Sequence, residues 1–204
     1  MRIVVIGDHD PANPTHEATT AALRHSVART AEGDAEVAWL RTDAVGDPVE
    51  SLAGADGLLV APGSPYADLE GAVRAIEHAR TGELPLLGTC GGLQHLVVEY
   101  ARNVLGVRRA AHAEYLPDPG DPPDDDDPLF VTPLSCSLAG QTMDVTLVAG
   151  TRVASAYGAS SATERYYCNF GIAPARVAEL EAGGLRVSAV DALGEVRAVE
   201  LPGL

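Results

Sequence analysis

The stretch "LLGTCGGLQHL", residues 86–96, constrains this chain more than any other. An apolar run stops at Gly-Thr-Cys-Gly-Gly. A helical pattern, "GLQHLVVEYARNVLG" (92–106), then begins and closes at Gly106. A buried strand that turns abruptly into a helix belongs to α/β architecture. The rest of the first half agrees. "RIVVIG" (2–7), "AEVAWLRT" (35–42), "ADGLLVAPGSPY" (55–66) and "LPLLGT" (84–89) read as strands. Between them lie helical segments. One is capped by Asn13, with Pro14 at its first position and Glu17 in its first turn, and carries Leu23, Val27 and Ala31 at helical spacing. Another spans 67–81, with Leu69, Val73 and Ile76 on one face. Strands alternating with helices in short units predict a mostly parallel sheet flanked by helices.

The second half is patterned differently. "LFVTPLS", "TMDVTLVAG", "RVASAYG" and "ERYYCNFGI" read as strands and turns. One helix is expected over 173–183, followed by a hairpin turning at Leu193-Gly194. No repeat or flexible linker interrupts the pattern. The expectation is one α/β domain over 1–204 with an antiparallel excursion.

Charge and composition narrow the function. The formal net charge is −15 over 204 residues, and a surface this acidic repels phosphate backbones. Nucleic acid is not an expected partner. No apolar run reaches the roughly 20 residues of a membrane span, and the N-terminus lacks a signal-peptide pattern, so a cytoplasmic protein without membrane association is expected. The acidic run at 121–127 reads as a solvated loop. Cys90, Cys136 and Cys168 form no CxxC pair, which argues against zinc-ribbon and thioredoxin chemistry. Asp8, His9, Asp10 and His16 cluster beyond the first strand, but capping and loop chemistry explain such residues, and no metal or cofactor is expected. Cys136, Cys168 and His95 read as structural.

Sites in open α/β sheets form beyond the carboxyl ends of strands. "APGSPY" and "GTCGG" both occupy that position. Gly88-Thr89-Cys90-Gly91-Gly92 has the G-x-C-x-G spacing of a nucleophile elbow, where flanking glycines remove side chains that would clash. The amides opening the next helix favour the thiolate. The amide of Gly91, with one from Gly63 or Ser64, is placed to donate to a developing oxyanion. The bland alternative is a small buried cysteine before a Gly-rich turn.

The segment "PLLGTCGGLQHLVVEYARNVLG" closely resembles the nucleophile segment of class I glutamine amidotransferases, specifically the glutaminase domain of CTP synthase. "LLVAPGSPYADLEGAVRAIEHAR", "AAHAEY", "ATERYYCNFGI" and "LRVSAVDALGEVRAVELPGL" resemble further segments of that family. The resemblance covers nearly the whole chain and implies a flavodoxin-like sheet, a Cys-His-Glu triad and glutamine as ammonia donor. Cys90 corresponds to the nucleophile. Gly63, Ser64 and Gly91 correspond to the oxyanion region. Gln94 and Glu114 match positions that hold the substrate's amino-acid end. His112 stands two residues before Glu114, where it is expected to line the pocket.

Three departures accompany the resemblance. The family's His-Pro-Glu would follow "VELPGL", so the general base is expected beyond Leu204 or from a nearby histidine. Asn169 stands where the family has an arginine that pairs with the glutamine α-carboxylate. Asn offers donors but no charge, which implies a substrate other than ordinary free glutamine. In the oxyanion loop, Pro65 removes an amide donor and Tyr66 adds a bulky polar tip near substrate. The family's ATP- and UTP-binding half has no counterpart here, and no phosphate-binding GxxxxGK[ST] motif occurs. The chain thus looks like a stand-alone relative of the CTP synthase C-terminal region. It is expected to take a small-molecule amide, with a separate synthase or a second copy of itself as a possible partner. A degenerate domain used for binding or regulation is the alternative.

Overall fold

A computed structural model of the protein describes residues 1–30, 36–116 and 128–203. The acidic run at 121–127 lies outside the described residues. The chain divides into two compact units, Met1–Glu99 and a second from Tyr100 onward.

The first unit contains β1 (Arg2–Ile6), α1 (Pro14–Thr30), β2 (Glu36–Leu40), α2 (Pro48–Ser51), β3 (Gly57–Val60), α3 (Leu69–Thr81) and β4 (Leu86–Gly88). It also holds the opening turns of α4 (Gly91–Asn103). The strands form a four-stranded parallel sheet in the order β2-β1-β3-β4. β1 and β3 are central and continuous in apolar character because both faces are covered. Val4, Ile6, Leu58 and Val60 pack against Ala72, Ala75, Ile76 and Ala79 of α3. Val5 and Leu59 face the other way, with Leu23 of α1 and Trp39 of β2. This two-sided burial confirms the parallel α/β sheet expected from the sequence.

Local chemistry sets the boundaries. Asn13 caps α1 as expected, its side chain accepting from the Thr15 amide at 3.0 Å. α3 starts later than the periodicity predicts. The amides of Ala67 and Asp68 are engaged instead by Asp8 (2.7 Å) and by the Thr42 hydroxyl (3.0 Å). α4 ends at Asn103, and Gly106, at φ +76°, closes it while the Val107 amide reaches back to the Ala101 carbonyl at 2.9 Å. One ion pair links α3 to α4. Arg80 grips Glu99 at 2.7 Å, and the Glu99 side chain is only 1% exposed.

The second unit contains β5 (Ala111–His112), β6 (Leu129–Pro133), β7 (Thr142–Leu147), α5 (Arg152–Tyr157), β8 (Ser161–Arg165), β9 (Phe170–Ile172), α6 (Val177–Ala182), β10 (Arg186–Asp191) and β11 (Val196–Glu200). An antiparallel sheet runs β11-β10-β7-β8, and a smaller sheet runs β5-β6-β9. The expected antiparallel excursion and terminal hairpin are both present. At the hairpin, Asp191 accepts the Leu193 and Glu195 amides at 2.8 and 3.0 Å and pairs with Arg197 at 2.6 Å.

Two sequence readings need correction here. "RVASAYG" forms a helix, not a strand or turn. Thr151 caps α5 by accepting from Ala154, and Gly158 ends it in the left-handed region. The segment 173–183 is not one continuous helix. Pro174–Arg176 form a 3-10 turn before α6 begins at Val177. Among the described residues, no helix is long and apolar enough to cross a membrane.

Candidate active site

Cys90 follows β4 and immediately precedes α4, the junction that the spacing predicts. Its φ is +52°, in the left-handed region where a side chain is disfavoured. Such a conformation costs on the order of 1–3 kcal/mol and persists only where the surroundings impose it. Here the surroundings do. The Thr89 amide bonds to the Val60 carbonyl at 3.1 Å, prolonging the pairing of β4 with β3. The Gly92 amide then turns back to the Thr89 carbonyl at 2.8 Å. The turn is squeezed between a strand end and a helix start, and Cys90 sits at its apex.

The two following glycines are dictated by close backbone approach. A Cβ on Gly91 would lie 2.5 Å from the Gly63 carbonyl oxygen and 3.2 Å from Ser64 Cβ. A Cβ on Gly92 would collide with the Val60 carbonyl. The Cys90 turn and the Pro62–Ser64 loop are therefore in direct contact, and Gly63 itself adopts φ +95°. Gln94 lies on the first turn of α4, 4% exposed, with its side-chain oxygen accepting from Ser64 Oγ at 3.4 Å. Cys90, Gly91, Gly63, Ser64 and Gln94 are thus brought together within one unit.

Other expected residues are placed differently. Tyr66 is buried, and its hydroxyl donates to the Ala61 carbonyl. The polar tip expected to reach substrate is turned to the backbone, because a buried phenol needs a hydrogen-bond partner. Its ring stacks on His95, centroids 4.2 Å apart. His95 is fully buried, with Nδ1 2.7 Å from the Gly91 carbonyl, consistent with a packing role.

Glu114, His112 and Asn169 belong to the second unit. His112 is 1% exposed, and its Nδ1 accepts from the Glu114 amide at 3.1 Å. It lies against Tyr115 and Phe170. Among the described residues, Glu114 Oε2 is buried without a hydrogen-bond partner. A buried carboxylate oxygen in that state can accept from a cationic or donor group. Asn169 is exposed, immediately before β9, which lies in the same sheet as β5. Its Oδ1 accepts from Ser137 Oγ at 2.6 Å, so its NH2 is what it can offer a ligand.

The cluster after β1 is organised around loops. The Asp8 carboxylate accepts from the Thr42 amide, the Thr42 hydroxyl and the Ala67 amide, tying the segments after β1, β2 and β3 together. His16 is 5% exposed, and its Nε2 lies 3.0 Å from the Pro62 carbonyl. Sequence reasoning placed His16 at this edge of the sheet but did not connect it to the Gly63 loop. The link runs between residues 46 positions apart, and no local pattern encodes it.

The profile of the class-I glutamine amidotransferases matches residues 16–199. The chain belongs to the class-I glutamine amidotransferase family. CTP synthase of Aeropyrum pernix is 35% identical over 98% of this chain and 38% of its own length. CTP synthase of Methanopyrus kandleri is 34% identical over 99% of this chain and 39% of its own length. The chain therefore spans about two fifths of the curated relatives it matches. Among solved structures, the Trypanosoma brucei CTPS glutaminase domain with bound acivicin superposes with TM-score 0.82. The match covers all of this chain and 81% of that one at 23% identity, and it shows the shared fold. A glutamine amido transferase from Methylobacillus flagellatus matches with TM-score 0.57 at 15% identity, over 99% of this chain and 66% of that one. This family member is similar in sequence to the CTP synthases along nearly all of its own residues.

Proposed function

We propose that Cys90 is the nucleophile of an amide-hydrolysing or amide-transferring reaction. The observation that carries this is the left-handed Cys90 at the β4–α4 junction, with Gly91 pressed against the Gly63 carbonyl. Strain held at a strand-to-helix turn presents the thiol outward, and the helix start favours the thiolate. Sγ attacks the carboxamide carbon, and the carbonyl π electrons move onto oxygen. Amides of Gly91 and the Gly63-Ser64 loop stabilise that oxyanion. The C–N bond then breaks. Nitrogen takes a proton from a general acid and departs as ammonia, leaving a thioester. Water attacks the thioester, releasing the acid and restoring the thiol. The general acid and base is assigned to a histidine, either in a segment following Leu204 or near the site.

The substrate is a carboxamide other than ordinary free glutamine, carried on a larger metabolite. Within the second unit, the Glu114 carboxylate suits an ammonium or amide donor, and His112 accepts from the Glu114 amide. Within the first, Gln94 accepts from Ser64 beside the oxyanion loop. Asn169 provides a neutral donor where a carboxylate would need a cation. Ammonia release tests this directly. Glutamine and its analogue lacking the α-carboxylate, 4-aminobutanamide, would be compared at matched concentrations. The reading expects the analogue to equal or exceed glutamine in kcat/KM. A clear preference for glutamine contradicts the substrate assignment.

A second reading rests on the sequence kinship with CTP synthases. In it, this domain feeds ammonia to a synthase activity. Co-purification of a nucleotide-binding partner whose addition raises ammonia release would support it.

A further inference from the structure

We infer that His16 is a positioning residue that holds the oxyanion loop against Cys90, an inference resting on the assignment of Gly63 and Ser64 to the oxyanion site. His16 belongs to α1, and the loop it touches follows β3, so its contact bridges separate elements. Its two ring nitrogens are given opposite tasks. Nδ1 accepts from the Asp10 backbone amide at 3.0 Å. That nitrogen must carry a lone pair, so in the neutral ring the proton is on Nε2. Nε2–H then donates to the Pro62 carbonyl at 3.0 Å, one residue before Gly63.

The ring is fixed from its sides as well. His16 lies 5.0 Å from Trp39 and 5.9 Å from His9, centroid to centroid, and His9 also packs on Trp39 at 4.6 Å. Trp39 is anchored in turn by Nε1, which donates to the Thr20 hydroxyl at 3.0 Å. Thr20 sits one turn along α1 and donates to the His16 carbonyl. Glu17 pairs with His9, at 3.5 Å.

A Cβ on Gly63 would come within 3.2 Å of His16 Nε2, so the ring lies close to the Gly63 backbone. The Gly63 carbonyl in turn meets Gly91. The loop thus touches both a buried imidazole and the nucleophile turn. Losing the Nε2 bond frees the peptide preceding Gly63, and with it the direction of the Gly63 and Ser64 amides. An oxyanion donor misplaced by about 1 Å weakens catalysis on the order of 100-fold.

Three substitutions separate the ring's functions. His16→Gln places an amide donor near the Nε2 position, His16→Asn retains only an acceptor near Nδ1, and His16→Leu removes both. In the unaltered protein, a nitrogen-15 histidine spectrum should show His16 as the Nε2–H tautomer; the Nδ1–H tautomer overturns the inference. Backbone relaxation at Gly63 and Ser64 should give order parameters of about 0.85 in the wild type and His16→Gln. Values should fall below about 0.6 in His16→Asn and His16→Leu, with the β3 amides unchanged. Equal values in all four proteins, or equal loss in the Gln and Leu variants, overturn it too. In parallel, kcat for ammonia release from 4-aminobutanamide should fall by about 10-fold or more in the Asn and Leu variants, while iodoacetamide alkylates Cys90 at the wild-type rate. If Cys90→Ala releases ammonia as fast as the wild type, the nucleophile assignment fails. The tautomer and the loop relaxation still decide the role of His16.

Discussion

At the scale of single residues, the site depends on where side chains are absent. Gly91 has room for no Cβ, since one would stand 2.5 Å from the Gly63 carbonyl. Gly91→Ala should push the oxyanion loop away and lower amide turnover by about 100-fold, with a stability loss of about 1–3 kcal/mol. Steady-state ammonia release and urea melts would measure the two effects separately. Unchanged turnover would mean that the loop does not serve Cys90. Much of this was legible in the sequence. The spacing of Gly88, Cys90 and Gly92 after an apolar run specifies a strained turn before a helix, and the turn is there. The residue-scale reading was thinner where periodicity says nothing about side-chain partners. A tyrosine after Pro-Gly-Ser-Pro gives no sign that its hydroxyl will reach the carbonyl of Ala61, five residues earlier. His16 looked like one of several polar loop residues, because its partner lies on another strand's loop.

At the scale of elements, buried ion pairs fix helix and hairpin geometry. Arg80 leaves Glu99 paired at the α3–α4 interface. Arg80→Ala takes the guanidinium away from a buried carboxylate and should destabilise the protein by about 3–5 kcal/mol, whereas replacing both partners with methionine should recover most of that loss. Urea unfolding of the single and double variants checks this. At the β10–β11 hairpin, burial alone would raise the Asp191 pKa. The Arg197 guanidinium and the Glu195 and Leu193 amides outweigh it and hold the carboxyl below its usual range. The sign follows from linkage. The folded pKa lies below the unfolded value of about 3.9. The contribution is therefore fully present above about pH 4 and is lost as pH falls through the lower folded pKa. Asp191→Asn should flatten the acid limb of the stability profile relative to wild type; identical acid limbs would contradict this. The hairpin turn at Leu193-Gly194 and the parallel strands were readable because their periodicities are local and two-sided burial leaves unbroken apolar runs. α5 was not. "RVASAY" is only six residues, too short to show a helical period, and its helix rests on two end signals, the Thr151 cap and Gly158.

At the scale of the whole molecule, charge is the dominant property. A net charge of −15 repels itself and phosphate polymers alike. Raising ionic strength from about 0.01 M to about 1 M shortens the screening length from about 30 Å to about 3 Å, so the thermal midpoint should rise with sodium chloride. A falling midpoint would show that attractive ion pairs outweigh the acidic excess. Family membership was also legible in the sequence, because the resemblance runs through both halves rather than through one motif. The substrate was not, since no local pattern says how the Glu114 carboxylate and the Asn169 amide are placed, and on the proposed reading these two choose it.

The most direct test of the central claim is ammonia release from 4-aminobutanamide and from glutamine by the wild type and by Cys90→Ala. The account predicts release by the wild type, lowered by about 1,000-fold or more in Cys90→Ala. Release at the wild-type rate in Cys90→Ala would contradict it.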